Sequence, residues 1–565
     1  MTSSTARRLA VCVTVAVALV VALLVWTGRD DEPTDADFPL TTGNGAAFDG
    51  ATGPNVVVVM ADDMRADDLL FMPSLRRLVG EHGLTFRNSF SPYPLCCPAR
   101  TSFLTGRYAH NHRVYWHEEP YGYGAFDDSR TIATSLQAAG YETGYIGKYL
   151  NRYGPATSKV SGEPSYRYVP EGWTDWRASI DRVEGVGVHG STYDYRDTPF
   201  NVNGKVDNRY KGDYNTDVIG DFSVEMAQRF AAQDNPFFMM VNYVAPHSGG
   251  PIEDDDPASY LDVGTPAVTK AVRGRFDDLI TRGAGMPKDG GPSEADISDK
   301  PRAFSEDEEP DEQLREAIAE STRQRAESIF VMDGQVKRLI EELERSGEWD
   351  DTVFMFTSDN GFYLGEHRRR GGKVRAHEPS LRVPFVMTGP GMRQRADRDD
   401  PITTIDISAS ILDLADAEPP YPADGTSRLT TMRRGDQGWA TPVLNEATNT
   451  GRLGPRPRGF RGPRTSIGVR TARYSYIRSA TNEDELYDLQ RDPLQMENVN
   501  DSPAYAAVRR SLLKVWWRTR NCVGDECQVA LPPALRADAA TTAALTTGYW
   551  DGVREVYGFE EEPRS

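Results

Sequence analysis

The chain has 565 residues, enough for a large core and more than one domain, and its 39% hydrophobic and 10% aromatic content marks a globular protein, not a disordered one. A formal net charge of −20 argues against nucleic acid as a partner, because phosphate backbones are held by clustered Lys and Arg. Any anionic ligand must therefore be met by local positive charge.

At the N-terminus Arg7 and Arg8 precede an apolar run from Leu9 to Trp26, interrupted only by Thr14, and acidic Asp30, Asp31 and Glu32 follow. This charge order fits a positive-inside segment whose C-terminal side is exported. No small-x-small cleavage site follows, which favours an uncleaved single-span anchor over residues 1–27 above a cleaved signal peptide. The Arg pair also weakly matches a twin-arginine export signal. The body is thus expected outside the cytoplasm, either membrane-anchored or secreted. Residues 28–50, polar and rich in Asp, Gly and Thr, read as a flexible linker.

The run Asn55 to Met60, NVVVVM, has the length and continuous apolarity of a strand buried on both faces, and Asp62 and Asp63 follow it directly. In CCPARTSFLTGR, Cys96 to Arg107, Pro98 favours a first helical turn and Gly106 a stop, so Cys96 lies at a helix N-terminus. There, free N–H groups and the positive dipole end favour an anion by roughly 0.3–1 kcal/mol per interaction. Lys148 stands in YIGKYLN, and a second strand-like run, Phe237 to Val244, leads to Pro246 and His247. The stretch 249–312, dense in Asp, Glu, Pro and Gly, predicts a long exposed insertion.

Ile329, Met332, Val336, Leu339, Ile340 and Leu343 recur at helical spacing, and Gly347 provides a stop. A third strand run, Thr352 to Thr357, is followed by Asp359 and Asn360. Strands alternating with helices predict an α/β sandwich. Ligands gather beyond the carboxyl ends of strands in such sheets, so the two acidic dipeptides can converge despite their distance in sequence. Three carboxylates and one amide oxygen form a hard, all-oxygen set that favours Ca²⁺, with Mg²⁺ or Mn²⁺ behind it. A Pro/Gly/Arg-rich stretch from Gly451 to Arg464 separates the main body, 51–450, from a C-terminal region, 451–565. In an exported protein Cys522 and Cys527 read as a disulfide closing a small loop, and the absence of a second C-x-x-C or a nearby His argues against zinc.

The segment CCPARTSFLTGR closely resembles the type I sulfatase signature C-x-P-[SA]-R-x-x-x-L-T-G-R, with Ala99 in place of the commoner Ser and Arg100, Leu104, Thr105, Gly106 and Arg107 all matching. The likeness runs from about Asn55 to Cys527, and SIGVRTARYSYIR followed by ELYDLQRDPLQMEN is similar to the C-terminal ending of that family. It implies an alkaline-phosphatase-like fold, a large mixed and mostly parallel sheet flanked by helices, with a smaller C-terminal subdomain built on an antiparallel sheet.

The resemblance further implies that a maturase oxidises Cys96 to Cα-formylglycine and that Asp62, Asp63, Asp359 and Asn360 hold Ca²⁺ together with that residue. Arg100 would orient the hydrated aldehyde, Lys148 and Lys373 would bind the sulfate, and His247 would protonate the departing alcohol. One hydroxyl of the hydrate attacks sulfur, and the second then loses its proton and expels sulfate. Many members carry G-K-x-H, whereas Leu150 occupies that His position here, which leaves the base open between Asn151 and His377. GKYLN, the CCP start and the segment Tyr108 to His112 are similar to the N-acetylglucosamine-6-sulfatase and heparan endosulfatase subgroup. A sulfated sugar of the glycosaminoglycan type is the implied substrate. Arg368, Arg369, Arg370, Lys373 and Arg375, and the cluster Arg452 to Arg464, are candidates for steering a polyanion. The rival readings are a formylglycine-dependent phosphonate or phosphodiester hydrolase and a catalytically silent glycan-binding relative.

Overall fold

All seven residues of Asn55–Ala61 are buried, as a strand covered on both faces requires. The computed structural model describes residues 53–302, 307–392, 395–448 and 459–559. The expected anchor at 1–27 and linker at 28–50 lie outside these residues. Among the described residues no helix is long and apolar enough to cross a membrane.

The strands in chain order are β1 Asn55–Ala61, β2 Leu84–Phe86, β3 Ser89–Phe90, β4 Glu142–Lys148, β5 Asp175–Ser179, β6 Phe200–Val202, β7 Lys205–Asp207 and β8 Phe237–Asn242. They continue as β9 Thr352–Ser358, β10 Phe385–Thr388, β11 Ala396–Arg398, β12 Ile402–Thr403, β13 Val443–Ala447, β14 Ser466–Arg470, β15 Tyr474–Ser479 and β16 Glu485–Asp488. Ten of them form one sheet in the order β11-β2-β10-β9-β1-β8-β4-β5-β6-β7. Its centre is parallel, β1 pairing with β9 and β8, and β4 with β8 and β5. Antiparallel pairs flank that centre, β10 with β9 on one side and β6 with β5 on the other.

The period-two alternation of β1 divides the core. Val57, Val59 and Ala61 pack with Phe222 and Met226 of the Asn215–Ala231 helix and with Ile329, Met332 and Val336 of the Glu312–Ser346 helix. Val56, Val58 and Met60 face the opposite layer, with Phe103, Leu104, Ile407 and Ile411. The predicted stripe from Ile329 to Leu343 is the buried face of the Glu312–Ser346 helix, which ends at Gly347 with φ 84°, the left-handed cap that glycine adopts without steric cost.

The stretch 249–312 departs from its expected exposure. It has little regular structure but buries Phe276, Ile280, Ala284 and Met286, so its acidic, Gly-rich composition covers the body of the protein and does not form a free loop. A second, four-stranded antiparallel sheet, β13-β14-β15-β16, begins at Val443. The Ala506–Thr519 helix packs on it, with the Trp516 indole donating to the Ile467 carbonyl at 3.1 Å. Cys522 and Cys527 form the expected disulfide.

Candidate active site

Register sets the first part of the site. Met60 and Ala61 pair with Thr357 and Ser358, so Asp62–Asp63 and Asp359–Asn360 leave the sheet side by side at one edge. The Asp63 amide donates to Asp359 Oδ1 at 3.2 Å and Asn360 Nδ2 to Asp63 Oδ1 at 2.6 Å. Asp63 has φ 68°, a left-handed conformation uncommon for a residue with a Cβ and one that Asp tolerates better than most. Its carbonyl accepts from Arg325 Nη2 at 2.6 Å, which helps hold the turn. Strands β4 and β8 end at the same edge and bring Lys148, Asn242 and, just beyond, His247.

The Cys96–Thr105 helix supplies the second part. Its first residue is Cys96 and its cap is Gly106 at φ 67°, as the sequence pattern requires. Cys96 is buried, with Sγ 3.2 Å from Asp62 Oδ1 and 2.8 Å from Lys373 Nζ. Lys373 also pairs with Asp63, and Lys148 with Asp62. Arg100, one turn along, directs Nε to Asp359 Oδ2 at 2.8 Å and Nη1 to the Lys148 carbonyl at 2.9 Å and Asn242 Oδ1 at 3.2 Å. It therefore clamps an acidic strand end to two neighbouring strands, and these hydrogen bonds go to the strand ends and not to Cys96.

Three buried carboxylates, Asp62, Asp63 and Asp359, thus face three cations, the buried Lys148 and Arg100 and the partly buried Lys373. Burial opposes ionisation of Asp62, but Lys148, His247, Arg100 and Lys373 outweigh it and hold the carboxyl well below the usual carboxylate range. Asp63 is also lowered, Lys373 and His247 overcoming its burial. Asp359 goes up, because burial and the Asp62 charge exceed the pull of Arg100. Burial also raises the Cys96 thiol, reinforced by Asp62, so an unmodified thiol here is held protonated.

One oxygen each from Asp62 and Asp63, Cys96 Sγ and a His247 ring nitrogen lie within 4.8 Å of one another. Asn360 Oδ1 is a buried oxygen with no hydrogen-bond partner, an orphaned acceptor beside this group. Hard carboxylate and amide oxygens and an orphaned acceptor at one point fit a divalent cation. The charges agree: with three cations already offsetting three carboxylates, a divalent ion would make the pocket net positive and suited to an anion.

His247 is partly exposed, with Nε2 3.6 Å from Asp63 Oδ2 and Nδ1 2.7 Å from the Ser248 carbonyl. A carbonyl only accepts, so Nδ1 carries a proton and Nε2 is the atom that gains or loses one. Of the two candidate bases, Asn151 lies at the site, its Oδ1 accepting from Cys97 Sγ at 3.4 Å. His377 instead pairs with Glu485 on β16.

The sequence reading missed three groups. Tyr193 packs its ring 4.6 Å from that of His247 and 4.9 Å from Lys148 Nζ. His117 is lowered to about 3 by burial, reinforced by Lys373, Lys148 and His247. Arg325 also donates to the Pro246 carbonyl at 3.2 Å, and a charged residue four positions before Ile329 on an apolar stripe was its one visible signal. The proposed steering cluster is largely neutralised: Arg369 pairs with Asp307 at 2.8 Å, Arg375 with Asp307 at 3.6 Å and Arg368 with Glu309 at 3.4 Å. Arg464 is buried against Glu446, and residues 452–458 lie outside those described.

The family model "Sulfatase" matches residues 54–417, and that of the N-sulphoglucosamine sulphohydrolase C-terminal region matches residues 365–521. An arylsulfatase of Volvox carteri is 30% identical over 526 residues, covering 84% of this chain and 75% of the relative. An N-acetylglucosamine-6-sulfatase of Capra hircus is 29% identical over 426 residues, covering 73% and 69%. The fold is similar to that of a protein solved with its substrate D-glucosamine-2-N,6-O-disulfate, with a TM-score of 0.60 at 21% identity over 82% of this chain and 97% of that one. A family model that spans most of the chain, on a fold that gathers its signature residues at one sheet edge, gives the assignment: the chain belongs to the type I sulfatase family and is a sulfuric ester hydrolase.

Proposed function

We propose that the protein cleaves sulfate monoesters from sulfated sugars of the N-acetylglucosamine 6-sulfate or glycosaminoglycan class, outside the cytoplasm. In this reading a maturase oxidises Cys96 to Cα-formylglycine, and Asp62, Asp63, Asp359 and Asn360 hold Ca²⁺. The observation that carries it is Cys96 Sγ standing 3.2 Å from Asp62 and 2.8 Å from Lys373, at a helix N-terminus, where strands β1 and β9 end. The sugar class follows the goat relative's name and the disulfated glucosamine bound to the structural relative.

The hydrated aldehyde would supply a hydroxyl nucleophile, and the divalent ion would offset charge on the ester. The chain's own residues do the remainder. Lys148, which is buried, and Lys373, which is partly buried, are placed to bind sulfate oxygens, and their withdrawal from water strengthens that interaction. Burial lowers the affinity of either lysine for its proton, but the carboxylates beside each outweigh this and keep both charged. His247 presents Nε2 to the acidic cluster and from there would protonate the departing sugar oxygen; burial lowers the affinity of the ring for that proton, against the pull of Asp62 and Asp63, which makes the charged form a ready donor. Arg100 keeps Asp359 in place.

Mass spectrometry of the peptide containing residue 96, paired with assays on N-acetylglucosamine 6-sulfate and on a phosphonate monoester, tests the reading. The expected result is an aldehyde at residue 96, faster turnover of the sulfate ester and no turnover by Cys96→Ala. An unmodified thiol with no sulfate release refutes it, and preference for the phosphonate moves the assignment to that chemistry.

A further inference from the structure

In the basic cluster at 368–375, Arg368, Arg369 and Arg375 are tied to carboxylates, and a second group of arginines without such partners lies elsewhere. Arg152, Arg167 and Arg182 line a single groove of about 880 Å³ together with Tyr166. Among the described residues, none of these three guanidinium groups lies within 4.0 Å of a carboxylate, although Glu163 and Glu184 also line the groove. Against Glu163 and Glu184 the three arginines leave the groove one net positive charge, in a chain of net charge −20.

The groove adjoins the candidate active site by construction. β4 ends at Lys148, and Arg152 follows after Tyr149, Leu150 and Asn151, so its Cα lies at most about 14 Å from that of Lys148. Asn151, between them, touches both Cys97 and the Tyr193 hydroxyl. Arg152 has φ 72°, and its amide donates to Asp181 Oδ2 at 2.6 Å, joining the turn after β4 to the turn after β5. Arg182 follows Asp181 in that second turn. The groove therefore opens off the carboxyl ends of two parallel strands, the edge that carries the catalytic groups. Tyr166 is half-buried with the Arg167 guanidinium 5.4 Å from its ring centre, and Val186, 44% exposed, adds an apolar patch. Guanidinium forks beside an aromatic face suit sulfate or carboxylate groups carried on sugar rings.

We propose that this groove binds the neighbouring residues of an anionic oligosaccharide whose sulfate ester sits at Cys96, so that the substrate is a polymer segment and not a free monosaccharide. This rests on the hydrolase reading above and adds the length and charge of the substrate.

The test compares the calcium-loaded enzyme with an Arg167→Ala/Arg182→Ala variant on two substrates, N-acetylglucosamine 6-sulfate and a heparin-derived hexasaccharide bearing 6-O-sulfates. The variant should lose tenfold or more in kcat/KM on the hexasaccharide, with a shallower salt dependence, and keep its turnover of the monosaccharide. Unchanged hexasaccharide turnover, or an equal loss on both substrates, overturns the proposal. Arg182→Glu alone, at an exposed position, repeats the test should the double variant fold poorly. If the unmutated enzyme hydrolyses neither sugar, the sugar-sulfate reading of its substrate fails, and the Kd for the 6-O-desulfated hexasaccharide decides the groove separately. A tenfold weaker Kd in the variant supports the groove, and an equal Kd rejects it.

Discussion

His377 Nε2 lies 2.7 Å from Glu485 Oε2, which ties the loop carrying Lys373 to strand β16 of the small sheet. The other end of that loop is held by His367, whose Nδ1 is 2.8 Å from Glu294, and by Arg369 on Asp307, both in the stretch 249–312. Two parts of the molecule that contribute no group to the acidic cluster thus fix the position of a lysine that touches Cys96. Glu485→Ala leaves a buried imidazole without this partner, at about 1–3 kcal/mol, and is expected to lower kcat/KM on a small aryl sulfate about tenfold. Glu485→Gln, whose amide oxygen can still accept, should recover much of the rate. Steady-state kinetics beside thermal melts decide the point: a lower Tm with full activity in the folded enzyme would make the contact purely structural.

Much of this arrangement was legible in the sequence because its signals are local. The continuous apolar runs before Asp62 and Asp359 give buried parallel strands, and Pro98 with Gly106 brackets the helix that Cys96 opens. Partnerships across the chain left no local trace. Nothing near Arg369 indicates that Asp307 neutralises it, and Tyr193 and His117 stand on loops without periodicity. The stretch 249–312 reads as solvated from its charge, yet Phe276 and Ile280, spaced for one side of a turn, anchor it to the core.

Removal of the divalent ion should abolish turnover without unfolding the protein. Lys148, Lys373 and Arg100 already offset the three acidic side chains, so the metal-free site keeps its charge balance. Excess chelator is expected to stop sulfate release, added Ca²⁺ to restore it, and the ion at one hundred times its Kd to add about 2.7 kcal/mol to stability. Full activity in chelator, with no metal found by elemental mass spectrometry, would count against the assigned ligand set.

Arg100→Lys is expected to be far from conservative. The guanidinium reaches Asp359, the Lys148 carbonyl and Asn242 at once, and a single ammonium cannot span that fork. Breaking the buried Arg100–Asp359 pair costs on the order of 3–5 kcal/mol where no partner replaces it, so Arg100→Ala should express poorly. In Arg100→Lys the retained charge should preserve the fold, while kcat falls about a hundredfold because Asp359 and the end of β4 lose their shared anchor. Wild-type kcat in a folded Arg100→Lys enzyme would refute the positioning role.

Acid sensitivity has an identifiable source away from the site. His112 is buried; its Nδ1 accepts from the Val114 amide at 3.2 Å, and its Nε2 lies 3.0 Å from Ser102 Oγ on the Cys96–Thr105 helix. An Nδ1 that accepts is unprotonated, so the ring is the neutral Nε2–H form, and burial holds it down to about 3. The unfolded chain binds this proton near pH 6.5, so between pH 6.5 and 3 unfolding takes up a proton that the native state refuses. The contribution of His112 to stability is therefore fully present above pH 6.5 and is lost as pH falls toward 3, at up to about 1.4 kcal/mol per pH unit. His112→Gln, which can accept and donate but does not titrate, should flatten the stability profile in that window by as much as one proton per molecule. Denaturant unfolding at closely spaced pH values measures the slope directly, and identical slopes for the two proteins would remove His112 from the account.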